Sequence, residues 1–390
     1  MRIALCSKGT FSLELGATKN RIELAEGLMK LGWEAELIGN ETLGIQAAKH
    51  SDVAAFSLAL RDYLILHAHK FDVVLYEYAT LPYERSLFDK NTLFVARPAI
   101  LGYRLLDTKY RYSFKAILAK MYRSAWNKLS GRDPKKGYAE KIDYCLQQCD
   151  LIQIQNTQDR ALLIERGFDA DKIVMIPNGI TSERIEKFDA YPEKRKEPLT
   201  IVYVGTFDFR KGAMDFPGIL KRVKKKFKDV KLKLLGTSGM FSTAAQVLNF
   251  FPVQYHASIE VVPKFNSSDL PLLLSDCHVG IFPSYLESFG YGALEMMCAG
   301  IPVVAYECPG PSDFILRDLL VPTGDHSALA KKVIYLLERE DDRASKGRQA
   351  RALVTNQYCW QDISKDADSK YHWHIKRIRE KGDDNYKALI

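Results

Sequence analysis

Short apolar runs alternate with helical periods along this whole chain, and that alternation leaves few folds open to it. In the first half the strand-like runs are Ile3–Ser7, Glu36–Gly39, Asp72–Tyr76, Leu93–Ala96, Leu151–Ile154 and Ile173–Ile176. In the second half they are Ile201–Gly205, Leu232–Gly236, Ile259–Val262, Val279–Phe282, Val303–Ala305 and Leu319–Val321. Helical patterns fall between most of them, so the chain reads as α/β with doubly wound parallel sheets. A length of 390 residues is too great for one ordinary core, and two sets of strands predict two Rossmann-like domains. The expected boundaries are 1–180 and 199–360, with 181–198 as linker, because Glu193-Lys194-Arg195-Lys196-Glu197-Pro198 cannot be core. Parallel sheets bind ligands beyond the carboxyl ends of their strands, and two facing domains would set those ends across one cleft.

Within this frame one string carries chemistry: Pro283-Ser284-Tyr285-Leu286-Glu287-Ser288-Phe289-Gly290-Tyr291-Gly292-Ala293-Leu294-Glu295. It follows a buried strand and runs into a short helix, Tyr291 to Ala299, which Gly300-Ile301-Pro302 stops. Free N–H groups at a helix N-terminus favour an anion such as a pyrophosphate. Gly290 and Gly292 would let a ligand approach the backbone. Glu287 in the loop and Glu295 in the helix could then hold hydroxyls on either side of the phosphates, which describes a nucleotide-sugar. Two glutamates at this spacing can also be solvated surface carboxylates, so the surrounding string decides. Pro-Ser-x-x-Glu-Ser-Phe-Gly, then Leu294-Glu295, then Ala299-Gly300-Ile301-Pro302-Val303-Val304-Ala305 resembles the nucleotide-sugar site of family 4 retaining glycosyltransferases of the GT-B fold, marked by a Glu-x7-Glu motif.

That resemblance implies transfer of a sugar, with retention, from a nucleoside diphosphate donor to an acceptor hydroxyl, in polysaccharide or glycolipid biosynthesis. It implies Glu287 on the donor sugar and Glu295 on the ribose, with Ser288, Phe289 and Gly290 around the donor. Val204-Gly205-Thr206-Phe207-Asp208-Phe209-Arg210-Lys211-Gly212 matches the family's diphosphate loop. Lys211 is the implied phosphate ligand. Thr206 stands where the family has an Arg, and Arg210 is the candidate replacement; both cations could also be solvated turn residues. Lys264 follows a strand where the family holds the base through backbone atoms. Gly16 is the candidate glycine of the first phosphate loop, against a plain turn. Arg97 stands about where many members carry a His that contacts the sugar, and Pro98 biases it to extended geometry; the alternative is a salt bridge under the adjoining loop. Pro177-Asn178-Gly179 reads as a tight turn with Gly179 at positive φ. The final helix, Trp360–Lys381, would return to the first domain, joining it over about 365–390. Asp169-Ala170-Asp171 and Asp366-Ala367-Asp368 lie away from strand ends, so no metal or other cofactor is expected. A non-catalytic nucleotide-sugar-binding subunit and another GT-B enzyme such as an epimerase are the competing readings.

Composition bounds the setting. With 47% hydrophobic and 27% charged residues the chain is not of a disordered class. No apolar run approaches the ~20 residues of a membrane span, and Met1-Arg2-Ile3-Ala4-Leu5 reads as a first strand rather than a signal peptide. Seven scattered cysteines without a Cys-x2-Cys pair suit reduced thiols in a cytoplasm, with Cys145 and Cys149 buried. The net charge of +8 is concentrated between Leu101 and Lys141, which holds eleven Lys and Arg against three acids. No nucleic-acid-binding module accompanies it. Phe114, Ile117, Leu118, Met121, Ala125 and Leu129 share one helical face there. The segment could touch an anionic membrane carrying a lipid-linked or glycan acceptor, making the protein peripheral at the inner face; alternatively the apolar face packs on the first sheet.

Overall fold

The computed structural model describes all residues except 13–15, 47–51, 114–115, 119–120, 123–133, 191–197 and 388–390, and the backbone alone at 16–17, 134–136 and 381–387. The chain divides into two compact units. The first comprises Met1–Leu106, Pro134–Gly179 and Trp360–Ile390; the second comprises Asp107–Asp133 and Ile180–Cys359. Each holds one six-stranded, all-parallel sheet.

In the first unit the strands are β1 (Arg2–Cys6), β2 (Glu34–Ile38), β3 (Val73–Tyr76), β4 (Leu93–Ala96), β5 (Leu151–Ile154) and β6 (Ile173–Met175), in the order β2-β1-β3-β4-β5-β6. Its helices are α1 (Gly16–Met29), α2 (Val53–His67), α3 (Gly102–Asp107), α4 (Pro134–Gln147) and α5 (Thr157–Glu165). Strand side chains alternate between faces, and each face has its own core. Ala4, Cys6, Val74, Tyr76 and Phe94 meet Phe56, Leu60 and Leu64 of α2 on one side. Ile3, Leu5, Val73, Leu75 and Val95 meet Leu24 and Leu28 of α1 on the other. Leu31 lies beyond the helix and is exposed.

The second unit contains α6 (Ser182–Asp189), β7 (Thr200–Val204), α7 (Phe216–Lys226), β8 (Lys231–Leu235), α8 (Ala244–Leu248), β9 (Ile259–Val262), α9 (Leu270–Leu274), β10 (Val279–Phe282), α10 (Tyr291–Cys298), β11 (Val303–Tyr306), β12 (Leu320–Val321), α11 (His326–Glu338) and α12 (Glu340–Gln357). The sheet order is β12-β11-β10-β7-β8-β9. Its helices are held by plain amphipathicity. In α7, Phe216, Ile219, Leu220 and Val223 are buried at helical spacing while Lys221, Arg222, Lys224 and Lys225 lie on the other faces. Burying each such side chain contributes about 1.5–3 kcal/mol. The last helix, α13 (Trp360–Lys387), packs on α1 within the first unit, with Trp360, Ile363, Ala367, Tyr371 and Ile375 buried.

Three details differ from the sequence reading. The first half of the expected linker is α6, which Thr181 caps and which belongs to the second unit, with Phe188 in that unit's core. Low apolar content hid it, since one buried Phe suffices to dock so short a helix. Asp107–Asp133, expected in the first domain, groups with the second unit. Gly179 is not among the positive-φ glycines, so that turn needs no left-handed residue; its fixed point is the Asn178 side chain described below.

Candidate active site

In the second sheet the chain runs outward from β7 through β8 to β9, then crosses to β10 on the opposite flank of β7. The crevice beyond the ends of β7 and β10 is therefore the topological switch point, where open α/β sheets bind ligands. Two loops leave it, 205–215 from β7 and 283–290 from β10, and they are laced together. The Tyr285 N–H donates to the Arg210 carbonyl at 2.9 Å. The Arg210 guanidinium donates to the Leu286 carbonyl at 2.8 Å. The Lys211 ammonium donates to the Glu287 carboxylate, and Arg210 stands 3.8 Å from the same group.

Glu287 is buried at 6% exposure. Burial alone would raise its pKa, but Lys211, then Arg210, outweigh it and hold the carboxyl below its ordinary value. The site thus sets two cations against Glu287, and Arg210 also stands 3.9 Å from Asp208. Thr206, at the position of the missing Arg, instead donates to Asp208 at 3.2 Å. Asp208 accepts from the Lys211 N–H at 3.0 Å and so shapes the loop that presents the lysine. Gly212 closes that loop with φ +84°, and a Cβ there would stand 2.3 Å from the Pro283 carbonyl oxygen.

Helix α10 begins at the same place. Gly290 is its N-cap in the left-handed region, φ +100°, so no other residue turns the chain there without strain. Gly292 serves packing rather than ligand approach: a Cβ on it would lie 2.0 Å from the Val204 carbonyl oxygen. Phe289, expected at the donor, has its ring in the core against Tyr291, Phe314 and Tyr358. Only its backbone can serve a ligand. Ser288, between Glu287 and Phe289 in the chain, is half-buried. Glu295, inside α10 and 7% exposed, accepts from the Arg184 guanidinium of α6 at 2.6 Å. Lys264 is exposed after the edge strand β9, away from the β7–β10 crevice, and the preceding Pro263 carbonyl accepts from the Ser238 N–H at 3.0 Å.

Asp215 escaped the sequence reading altogether. Fully buried, it accepts from the Tyr285 hydroxyl at 2.7 Å, the Tyr306 hydroxyl at 2.9 Å and Arg111 at 2.7 Å. Arg111 belongs to the basic segment. Tyr110 packs on Tyr285, and Tyr112 on Phe209. The start of that segment is thereby clamped to the loops of the candidate site. Further along, Ile117, Leu118, Met121 and Tyr122 are exposed. Phe114, Ala125 and Leu129 lie outside the described residues.

The remaining candidates lie in the first unit. Its switch point falls between β1 and β3, because β2 lies on one side of β1 and β3 to β6 on the other. Gly16 opens α1 after β1, beyond the undescribed residues 13–15. Arg97 follows β4 and is 2% exposed; it donates to the side-chain carbonyls of Asn20 and Asn178 at 2.5 Å each. It ties α1 and the Pro177–Gly179 turn to the strand end. Between Arg97 and Arg21 of α1 stands Glu77, directly after β3. The Asp-x-Asp strings are structural: Asp169 caps a turn, Asp171 faces Arg377, Asp366 faces Lys370, and Asp368 accepts from the Trp33 indole. All seven cysteines are free, and Cys145 and Cys149 are buried as expected.

Residues 184–353 match the family model of glycosyl transferases group 1. The matched stretch makes up most of the second unit. The fold of the chain is GT-B. Sucrose-phosphate synthase from Thermosynechococcus elongatus superposes with a TM-score of 0.73 at 19% identity, over 95% of this chain and 98% of that one. The Anabaena protein HepE, solved with UDP and glucose, gives 0.63 at 13% identity over 94% and 98%. In sequence, the Staphylococcus aureus capsular polysaccharide biosynthesis glycosyltransferase CapM is 24% identical over 244 residues, 60% of this chain and 63% of CapM. The chain therefore matches less than two thirds of that relative's length.

Proposed function

We propose that this protein is a retaining glycosyltransferase that moves a sugar from a nucleoside diphosphate donor to an acceptor hydroxyl, without a metal ion. The observation that carries the reading is the Lys211–Glu287 pair, with Arg210 beside it, at the switch point of a sheet within the matched stretch. A departing nucleoside diphosphate gathers negative charge. Lys211 and the N–H groups at the start of α10 are fixed beforehand where that charge would develop, which is where electrostatic stabilisation lowers a barrier most. Glu287, kept ionised by its cations, accepts hydrogen bonds from donor-sugar hydroxyls. Glu295 takes the ribose diol, with Arg184 orienting its carboxylate. The leaving phosphate receives the acceptor's proton, so no second carboxylate is required as a nucleophile.

HepE was solved with UDP and glucose, and that ligand class supports a uridine donor as the first to try. The acceptor we assign to a glycan or lipid-linked sugar. The exposed Ile117, Leu118, Met121 and Tyr122, within a segment of net charge +8, support contact with an anionic membrane surface. Among the described residues no helix is long and apolar enough to cross a membrane.

A thermal-shift screen of nucleoside diphosphates and their sugars tests the reading, since a ligand that binds only the folded state raises Tm. Labelled donors that stabilise the protein should then be turned over, or slowly hydrolysed, and turnover should survive EDTA. Binding without any turnover would make the protein a nucleotide-sugar-binding subunit. Loss on chelation, restored by magnesium or manganese, would overturn the metal-free account.

A further inference from the structure

The first unit has a switch-point carboxylate of its own, and its surroundings differ from those of Glu287. Glu77 leaves β3 beside the loop of β1. Its Oε2 accepts from the Ala99 N–H at 2.7 Å and lies 3.8 Å from the Arg21 guanidinium. Arg21 is itself 3% exposed in its side chain, and Arg97 is buried nearby. Oε1 makes no hydrogen bond among the described residues, and 21% of the side chain is open. One oxygen is thus anchored by backbone and the other is presented outward from a rigid floor.

The chemistry of this floor selects its ligand. Two buried guanidiniums repel a metal cation or an ammonium. The carboxylate, while ionised, disfavours a phosphate. A neutral hydroxyl, donating to Oε1, fits both. We propose, resting on the glycosyl-transfer reading above, that Glu77 accepts a hydrogen bond from a hydroxyl of the acceptor sugar and so fixes that substrate on the first unit. The groups facing it are Arg21 of α1, Arg97 and Ala99 after β4, Tyr78 next in its own chain, and Cys6 of β1 under Arg21. Burial pushes the Glu77 carboxyl up to about 7, against the pull of Arg21, the Ala99 N–H and Arg97. Hydroxyl binding would therefore strengthen as pH rises through neutrality.

The test is Glu77→Gln, which keeps an oxygen for the Ala99 N–H, with Glu77→Asp alongside. Labelled UDP-glucose, UDP-galactose, UDP-N-acetylglucosamine and GDP-mannose serve as donors, and octyl glycosides as acceptors. The Gln variant should raise the acceptor KM at least tenfold while donor hydrolysis by water stays within twofold. The wild type's increase in acceptor kcat/KM through about pH 7 should vanish in Glu77→Gln. Unchanged acceptor KM and an unchanged pH profile would overturn the proposal. So would an equal loss of transfer and hydrolysis, which would place Glu77 on the donor or in the scaffold. A wild-type protein that neither transfers nor hydrolyses any of the donors would instead sink the glycosyl-transfer reading, and this inference with it.

Discussion

Glu287 and Glu77 each follow the strand that flanks the first strand of its sheet at the switch, Glu287 five residues past β10 and Glu77 one residue past β3, yet their electrostatics are opposite. Glu287 touches an ammonium and lies near a guanidinium, and its carboxyl is held below the ordinary range. Glu77 reaches its nearest guanidinium only at 3.8 Å, and burial wins, lifting it to about 7. Burial is common to both, so the contact distance of the cation decides the sign. The second unit thus presents a permanently ionised carboxylate paired with the cation proposed to face the diphosphate, and the first a titratable group suited to a hydroxyl.

The largest effect that would break this contrast is on turnover. Lys211→Met removes the cation that fixes Glu287 and faces the diphosphate. Loss of one such preorganised group costs roughly 10²–10³ in kcat, and a decrease under tenfold in steady-state assays would shift the burden to Arg210. Next in size is the stability of the second unit. Asp215→Ala strips the acceptor from two buried tyrosine hydroxyls and the partner from Arg111. Each orphaned hydroxyl costs about 1–3 kcal/mol, so a denaturant midpoint reduced by the equivalent of ~2–6 kcal/mol is expected. An unchanged midpoint would show that the clamp is ornamental.

Nucleotide affinity comes third. Glu295→Ala deletes charge-assisted bonds worth about 1.5–3 kcal/mol, at least tenfold in the Kd of the preferred nucleoside diphosphate by calorimetry. Undiminished affinity would leave Glu295 as nothing more than the partner of Arg184.

The smallest effect sharpens the contrast most directly. A carboxyl raised in the folded state adds stability that is present below its ordinary value of 4.5 and is lost as pH rises through about 7. A lowered one adds stability that is present above 4.5 and is lost as pH falls through its folded value. Between pH 4.5 and 7.5 the stability of wild type relative to Glu77→Gln should therefore fall, by ~1–2 kcal/mol given that solvent reaches the side chain. Relative to Glu287→Gln the wild type should gain stability as pH rises from acid toward neutrality. Parallel slopes in urea titrations would mean that the two carboxyls titrate alike.

Much of this was legible in the chain itself. Every strand of both sheets falls within two residues of its expected run, and the signal is strongest where a strand is buried on both faces and so apolar throughout, as in β3, β4, β10 and β11. The loop carrying Glu287, Gly290 and Glu295, and the one carrying Lys211, could be read because their constraints are local: a cap, a turn, a strand end. Such signals lie within a dozen residues of one another. Phe289 and Gly292 read as ligand residues for the same reason, since sequence shows a residue's neighbours in the chain but not the core on its other side.

What only the tertiary structure decided are the long-range pairs. Asp215 sits in Gly212-Ala213-Met214-Asp215-Phe216 without any local signature, and its partners come from Arg111, Tyr285 and Tyr306, 104, 70 and 91 residues away. Glu77 sat in plain view after its strand, but its character depends on Arg21, Arg97 and the Ala99 N–H. Sequence thus determined which elements form and where strand ends lie, because hydrophobic periodicity is a property of adjacent residues. The charge state of each carboxylate at those ends is set by distance and burial, and these exist only once remote segments have been brought together.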